Sequence, residues 1–247
     1  MATFVCIHGS WHGGWCFDPV RPLLEGAGHT VVAPDLPGMG GDAETLRAVT
    51  LQEWAAFAAD LCRRAAERPV ILVGHSRGGL VVSQAAEIAP EAIDGLAYVS
   101  AMMLPDGMSR AAFKALEAPN PEFDAIISSV HDGAGTIVDV QRAGSVFAQL
   151  SPPDLVDRAL SRLVAEPHGP RSTSLRLSPE RFGRLRRHYI ECTEDRTIRI
   201  ESQRLMQRLV PGAAVATLTA DHSPFLSRTE ELAAALLATV GVAIAPV

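Results

Sequence analysis

Residues 70–80 read VILVGHSRGGL and constrain the fold more than any other stretch. The first four residues are apolar and three of them are β-branched, which favours a strand buried on both faces. Gly74-His75-Ser76-Arg77-Gly78 then matches G-x-S-x-G, a pattern that places serine on a sharp strand-to-helix turn. Glycine is needed at both ends because neighbouring chain leaves no room for a Cβ. The turn is expected to expose the Ser76 hydroxyl at a helix N-terminus, which is the setting of a nucleophile.

Strand and helix patterns alternate along most of the chain. Apolar, β-branched runs predict strands at 3–7, 30–33, 70–73, 93–100, 187–192 and 215–219. Between them, amphipathic runs predict helices at 17–27, 51–68, 77–88, 198–209 and 229–239. This alternation predicts an α/β fold with a mainly parallel sheet of about six strands and helices on both faces.

The alternation stops between residues 104 and 185. Eight prolines divide this segment into short pieces, of which 109–116 and 153–164 are typical of helices, and no buried strand is visible. We therefore predict a single domain over residues 1–247. Its core comprises residues 1–103 and 186–247, and an inserted helical cap at about 104–185 covers the C-terminal edge of the sheet.

Composition narrows the class of partner. The formal net charge is −6, so there is no basic surplus to neutralise nucleic acid or an anionic membrane surface. No apolar run approaches the roughly 18 residues of a membrane helix, and the N-terminus lacks a basic signal region. The four cysteines form no C-x-x-C pair, which argues against a metal site or a disulfide framework. We predict a cytoplasmic protein that acts on a small molecule.

A glycine-rich loop, HGSWHGGW, follows the first strand at residues 8–15. Such a loop lies at the C-terminal edge of the sheet, where open α/β folds bind ligands. The backbone N–H groups of Ser10 and Arg77 are the candidate oxyanion donors. The candidate substrate contacts lie beside these loops and are Trp11, His12, Met102 and Met103.

The candidate general base is His222, because it directly follows the last predicted strand and so shares a sheet edge with Ser76. Asp195 follows the preceding strand and is the candidate acid that would orient the imidazole. Glu194 is an alternative acid one residue away. Asp221, next to the base, is expected to form hydrogen bonds within its loop.

Four motifs in this order, IHGSWHGGW, GHSRGG, YIECTED and ADH, resemble the α/β-hydrolase superfamily. Within it they are most similar to plant methylesterases, hydroxynitrile lyases and related bacterial esterases. The resemblance implies a six-stranded core, a Ser-His-Asp triad of Ser76, His222 and Asp195, and an oxyanion hole built from Ser10 and Arg77.

Several positions depart from this group. Its lyases carry a lysine after the catalytic histidine and a glutamate before the serine, whereas this chain has Ser223 and His75 there. Both departures favour cofactor-free hydrolysis of a small, largely apolar carboxylic ester over lyase chemistry. Arg77 stands where plant methylesterases usually have an apolar residue, and it is expected to form a salt bridge to the core or else to contact an anionic substrate group.

Other activities remain compatible with the same motifs. Carbamates, amides and lactones pass through a similar tetrahedral intermediate. A ligand-binding or receptor protein of low turnover, and a cofactor-free peroxidase or lyase, are further alternatives on the same scaffold.

Overall fold

The computed structural model describes the backbone of residues 1–244 and the side chains of residues 1–241. Strands β1 to β9 span Thr3–Ile7, Thr30–Val32, Val70–His75, Gly95–Val99, Ile127–Val130, Gly135–Val138, Glu166–Pro167, Arg187–Cys192 and Ala213–Leu218. Helices α1 to α12 span Arg21–Gly26, Ala43–Ala48, Leu51–Arg64, Gly78–Ile88, Arg110–Lys114, Pro121–Asp124, Val140–Phe147, Pro153–Leu160, Gly169–Ser172, Ile200–Leu209, Pro224–Ser227 and Thr229–Ile244.

The six strands predicted for the core form one parallel sheet, in the order β2-β1-β3-β4-β8-β9. The predicted α/β fold is thereby confirmed. Because the strands are parallel, their C-terminal ends meet at one edge of the sheet. His75 at the end of β3 is in register with Val99 of β4, and Val99 is in register with Ile190 of β8. The residues that follow these strands are therefore neighbours.

Successive residues of β3 face two different hydrophobic layers. Val70 and Leu72 belong to the layer beneath α3 and α4, whereas Ile71 and Val73 belong to the layer beneath α1 and α12. This alternation follows from the two-residue period of a strand. Because both layers are apolar, β3 is buried along its whole length and holds the turn after it rigidly.

Several predicted helices are shorter in the structure, including both cap helices, which span only Arg110–Lys114 and Pro153–Leu160, and two core helices differ by four residues or more. Helix α3 begins at its capping box of Thr50 and Glu53, as the sequence indicates, but ends at Arg64 rather than near 68. The residue before Pro69 cannot adopt helical geometry easily, and the chain leaves the helix before it. The helix predicted at 17–27 begins at Arg21, after a short 3₁₀ turn.

The segment between β4 and β8, residues 104–185, is here called the cap segment. Five short helices occur in it, α5 to α9, but it also contains a sheet of three antiparallel strands in the order β5-β6-β7. The predicted helical cap is thus present, but the expectation that this segment contains no buried strand was wrong, because β6 and β7 are largely buried. Strands of four, four and two residues, with glycine and serine among them, carry too little apolar periodicity to be seen in the sequence.

In the part of the chain that the structure describes, no helix has the length and apolar character needed to cross a membrane. The same residues contain no cluster of three or more metal-ligating side chains. All four cysteines are buried and free.

Candidate active site

Ser76 lies on the sharp turn between β3 and α4 in the left-handed region, with φ of 53°. This conformation is costly for a residue with a side chain and persists only where the surroundings hold it. The backbone N–H of Ser76 donates to Val99 at 3.2 Å, and its carbonyl accepts from Gly79 at 3.1 Å and from Met102 at 2.9 Å. A Cβ on Gly78 would lie 2.5 Å from the Ile7 carbonyl oxygen, so glycine is required there.

The structure brings Ser76, His222 and Asp195 together, although they are distant in sequence. The Ser76 Oγ lies 3.0 Å from Nε2 of His222, and Nδ1 of His222 lies 2.7 Å from Oδ2 of Asp195. All three residues are buried. Since an ionised carboxylate only accepts hydrogen bonds, the Nδ1 atom carries the proton and the lone pair of Nε2 faces the serine hydroxyl.

The Asp195 carboxylate is held by four donors. Its Oδ1 accepts from the backbone N–H groups of Thr197 at 2.6 Å and Ile198 at 2.8 Å, while its Oδ2 accepts from Ser100 Oγ as well as from His222. The alternative acid, Glu194, is exposed, and within residues 1–244 its carboxylate accepts a hydrogen bond only from the neighbouring Thr193 hydroxyl, at 3.3 Å. The geometry therefore favours Asp195 over Glu194.

The loop that carries His222 is fixed from both sides. As expected, the Asp221 carboxylate forms hydrogen bonds within the loop, accepting from the backbone N–H of Ser223 at 3.0 Å and from the Ser227 hydroxyl at 2.7 Å. On the other side, Nε2 of His75 donates to the His222 carbonyl oxygen at 2.8 Å. Burial lowers the pKa of His75 well below its usual range, so its ring is neutral.

The sequence analysis assigned no supporting role to His75, which directly precedes Ser76. Its ring centroid lies 4.7 Å from that of His222. Because β3 is buried on both faces, the polar ring of its last residue requires a partner inside the protein, and the His222 carbonyl is that partner. A polar residue at the end of a predicted buried strand was the available signal.

The glycine-rich loop after β1 is held by its own histidines. Nδ1 of His8 lies 2.9 Å from the Gly9 carbonyl, and Nε2 of His8 accepts from the Leu36 N–H at 2.9 Å. Nδ1 of His12 lies 2.7 Å from the Ser10 carbonyl. Burial lowers the pKa of His8 to about 3 and that of His12 to about 4, so both rings are neutral.

The predicted oxyanion donors share a cavity with the serine. Ser10 and Arg77 line the same cavity as Ser76. Within residues 1–244, neither backbone N–H is engaged in a hydrogen bond to another protein group. Both N–H groups are therefore available to a ligand in this cavity.

The four predicted substrate contacts divide into two pairs. Trp11 and Met102 line the cavity, but His12 and Met103 do not. The ring of His12 stacks on Trp15, with centroids 5.2 Å apart, and Met103 is fully buried in the hydrophobic layer beneath α3 and α4. Neighbours in an irregular loop point in different directions, which a loop sequence does not reveal, and the roles of all four residues in substrate binding stay predictions.

The cavity over Ser76 has a volume of about 50 Å³ and two kinds of wall. Its apolar lining consists of Trp11, Met102, Phe123, Ile127 and Ile198. Its charged lining consists of Arg77, Arg110, Lys114, Glu166 and Arg171. An outer pocket of about 220 Å³ shares part of this lining, namely Arg110, Lys114, Phe123 and Thr197. The wall is more charged than the expected, largely apolar substrate would need.

Arg77 forms a buried ion pair, as one of the two sequence alternatives anticipated. Its Nε lies 2.8 Å from Oε2 of Glu166, and the two side chains are only 4% and 2% exposed. The guanidinium also lies over the ring of Trp54, 4.3 Å from its centroid, and donates to the Gly9 carbonyl at 3.1 Å. The acidic partner comes from β7 of the cap segment rather than from the core.

Comparison with known proteins places this architecture in a family. Residues 4–235 match the model of the alpha/beta hydrolase family. A pyrethroid hydrolase of Sphingobium wenxiniae is 34% identical over 244 residues, which cover 96% of this chain and 86% of that protein. Methylesterase 1 of Arabidopsis thaliana is 33% identical over 252 residues, which cover 93% of this chain and 92% of that protein.

A solved structure gives the same result. The crystal structure of a pyrethroid hydrolase from Sphingobium faniae superimposes with a TM-score of 0.88 at 33% identity, covering 99% of this chain and 98% of that one. The fold, the order of the motifs and the likeness over almost the whole chain agree, and this chain belongs to the alpha/beta hydrolase family.

Proposed function

We propose that this chain is a serine esterase that cleaves a small carboxylic ester through an acyl-enzyme. Ser76 is the nucleophile, His222 the general base and acid, and Asp195 the carboxylate that orients the imidazole. The backbone N–H groups of Ser10 and Arg77 are the oxyanion donors. The cap segment covers the site, and Trp11 and Met102 contact the substrate.

The single observation that carries this proposal is the unbroken chain of contacts from serine to carboxylate. A distance of 3.0 Å joins Ser76 Oγ to His222 Nε2, and 2.7 Å joins His222 Nδ1 to Asp195. These distances lie within hydrogen-bond reach, which a general base needs. Relatives named as a hydrolase and a methylesterase support the same class of reaction.

The mechanism follows from the positions of the protons. Nε2 of His222 takes the proton of Ser76 as its Oγ attacks the ester carbonyl, and the imidazolium is stabilised by Asp195. The oxyanion of the tetrahedral intermediate lies against the two free N–H groups. His222 then protonates the departing alcohol, and a water molecule repeats the sequence on the acyl-enzyme to release the acid.

The test is a screen of methyl, acetyl, aryl and carbamate esters against the wild type and the Ser76→Ala variant. We expect the variant to lose about 10⁵- to 10⁶-fold in kcat. Ser83→Ala is the matched control, because Ser83 is also buried but donates to Gly79 and contacts Tyr98 inside the core. Most of the activity surviving in Ser76→Ala would contradict covalent catalysis by Ser76.

A serine-directed phosphonate separates this proposal from a ligand-binding protein of low turnover. We expect stoichiometric labelling of the peptide that contains Ser76, together with loss of ester hydrolysis. Ester binding without turnover or labelling would instead support a binding protein. Peroxide-dependent halogenation would point to a peroxidase.

We further propose that the protein works in the cytoplasm on a small molecule and needs no cofactor. The four buried, free thiols fit a reducing compartment. The net charge of −6 fits a partner that is neither nucleic acid nor an anionic membrane. Localisation of a tagged protein by fluorescence microscopy tests the compartment.

A further inference from the structure

The lining of the cavity over Ser76 contains an excess of positively charged side chains. Among the residues that the structure describes, four cationic side chains line it, namely Arg77, Arg110, Lys114 and Arg171, against a single carboxylate, Glu166. Such a surplus is unexpected next to an apolar wall, because charges in a partly desolvated cavity are costly unless they are paired. A cation among these four that has no acidic partner in the protein is available to an anionic ligand.

Three of the cations are paired with an acid. Arg77 pairs with Glu166 at 2.8 Å, Arg110 pairs with Glu117 at 2.7 Å, and Lys114 contacts Asp124. Arg171 is the exception. It is half-buried, it lies on the short helix α9 that packs against α5, and no acid or hydrogen-bond acceptor within residues 1–244 contacts its guanidinium.

Arg77 lines the same cavity, but its charge is already paired. Its side chain is only 4% exposed, and its Nε lies 2.8 Å from Oε2 of Glu166. Its Nη1 atom has no hydrogen-bond partner within the described residues, but this atom is buried and offers no surface to a ligand. The unpaired charge at the cavity is therefore that of Arg171.

The electrostatics agree with the geometry. Burial lowers the pKa of Arg77 below its usual range, and the positive charge of Arg171 lowers that pKa further. Burial is also the main reason why the pKa of Arg110 is lowered, and Arg171 again contributes. The guanidinium of Arg171 is therefore close enough to those of Arg77 and Arg110 to repel them. An anion bound at Arg171 would reduce this repulsion.

The nearby carboxylate of Asp195 does not supply this anion. Its two oxygens already accept from His222, Ser100, Thr197 and Ile198. It is not part of the cavity lining either. The surplus charge of Arg171 is thus left for a ligand.

We propose that the ester cleaved at Ser76 carries a carboxylate, which the guanidinium of Arg171 binds. This inference rests on the proposed esterase function and specifies its substrate class. A carboxylate suits the site because a guanidinium binds it in a planar, bidentate way, and its single charge matches the single unpaired cation. The apolar wall then contacts the carbon chain between the carboxylate and the scissile bond.

The probes are monomethyl esters of succinic, glutaric and adipic acid, with the carboxylate on the acyl side. O-acetyl esters of hydroxyacetate and 4-hydroxybutyrate place the carboxylate on the alcohol side. Each probe is paired with its neutral primary amide, which has nearly the same shape. In the wild type, we expect the best carboxylate ester to exceed its amide counterpart by about tenfold or more in kcat/KM.

The decisive variant is Arg171→Gln. We expect the carboxylate-to-amide ratio of kcat/KM to fall by about tenfold, mainly through KM, and Arg171→Lys to restore part of it. Arg158→Gln is the matched control, because it removes one positive charge from the same cap segment at a side chain that is 77% exposed and lies outside the cavity lining. That control should retain the wild-type ratio.

Failure of this inference is distinguishable from failure of the esterase proposal. A wild-type ratio near one for every chain length on both sides would overturn the carboxylate inference and leave the esterase intact. A ratio that is unchanged in Arg171→Gln, or equally reduced in Arg158→Gln, would also overturn it.

Binding provides a readout that needs no turnover. Isothermal titration calorimetry with the Ser76→Ala variant compares each carboxylate ester with its amide, with and without Arg171→Gln. Tighter binding of the carboxylate that depends on Arg171 supports the inference, even if the wild type hydrolyses no ester. Equal binding of the two forms overturns it.

Discussion

The sheet side and the cap side of the cavity are built in different ways. On the sheet side, His222 and Asp195 have a partner for each polar atom of their side chains, and neutral histidines brace the loops around them. On the cap side, the guanidinium of Arg171 lines the cavity and has no acid or hydrogen-bond acceptor as a partner within the described residues. The geometry of the sheet side is fixed without a ligand. The cap side, in contrast, holds an unpaired positive charge that an anionic ligand would neutralise.

The largest expected effect tests the sheet side directly. His222→Ala removes the proposed base, so kcat for the best ester should fall by about 10⁵- to 10⁶-fold, as measured by initial rates. His188→Ala is the control, because His188 is a half-buried histidine in β8 and lies outside the cavity lining. If the two variants lose similar activity, the contrast between the two sides has no catalytic meaning.

The next effect separates the two candidate acids. Asp195→Asn should lower kcat by about 10⁴-fold, because an amide at this place no longer selects the productive tautomer of His222. Glu194→Gln changes the neighbouring, exposed residue in the same way and should alter kcat by less than twofold. The opposite order would assign the acid to Glu194.

A third variant tests the cap side through stability. Glu166→Gln leaves the buried guanidinium of Arg77 without its counter-charge and should lower the free energy of unfolding by about 3–5 kcal/mol. The matched control is Arg68→Gln, which breaks a pair of the same 2.8 Å length in which Arg68 is 49% exposed and Asp94 is 28% exposed. We expect less than about 1 kcal/mol from it.

Urea unfolding of both variants measures the difference, and the double variant Arg77→Met with Glu166→Leu should recover much of the loss. Equal losses in Glu166→Gln and Arg68→Gln would mean that burial does not distinguish the two ion pairs.

The smallest effect concerns pH. Folding lowers the pKa of His12 to about 4, so the unfolded chain binds a proton first as the pH falls below about 6.5. The contribution of His12 is complete above that pH and declines as the pH falls toward 4, by about 2 kcal/mol between pH 6.5 and 5. His12→Gln should therefore flatten the pH dependence of unfolding, measured in urea at steps from pH 7.5 to 5. An unchanged slope would show that folding does not lower the pKa of His12.

The sheet side was largely predictable because the C-terminal ends of parallel strands meet at one edge of the sheet. A buried run such as 70–73, followed by G-x-S-x-G, places Ser76 at the edge of the sheet, and residues that follow other parallel strands must meet it there. Chain order and proximity to a strand end pointed to His222 and to the pair Glu194 and Asp195, and the contact between Asp195 and His222 in the structure separates the two acids.

The cap side was not predictable in the same way. Glu166 lies in a two-residue strand, whose pairing with β6 leaves no periodic signal in the sequence. The acid that pairs with Arg77 is therefore 89 positions away, with no pattern to connect the two. His12 and Met103 show the complementary difficulty, because loop residues next to a site can point into the core.

The ion pair of Arg77 limits how the cap segment of this protein can be exchanged. Its main-chain N–H belongs to the proposed oxyanion hole, while its guanidinium is neutralised by an acid of the cap segment. A cap segment without an acid at the position of Glu166 would leave this charge unpaired next to Ser76. In this chain, the cap segment and the turn that carries Ser76 are therefore matched to each other through one ion pair.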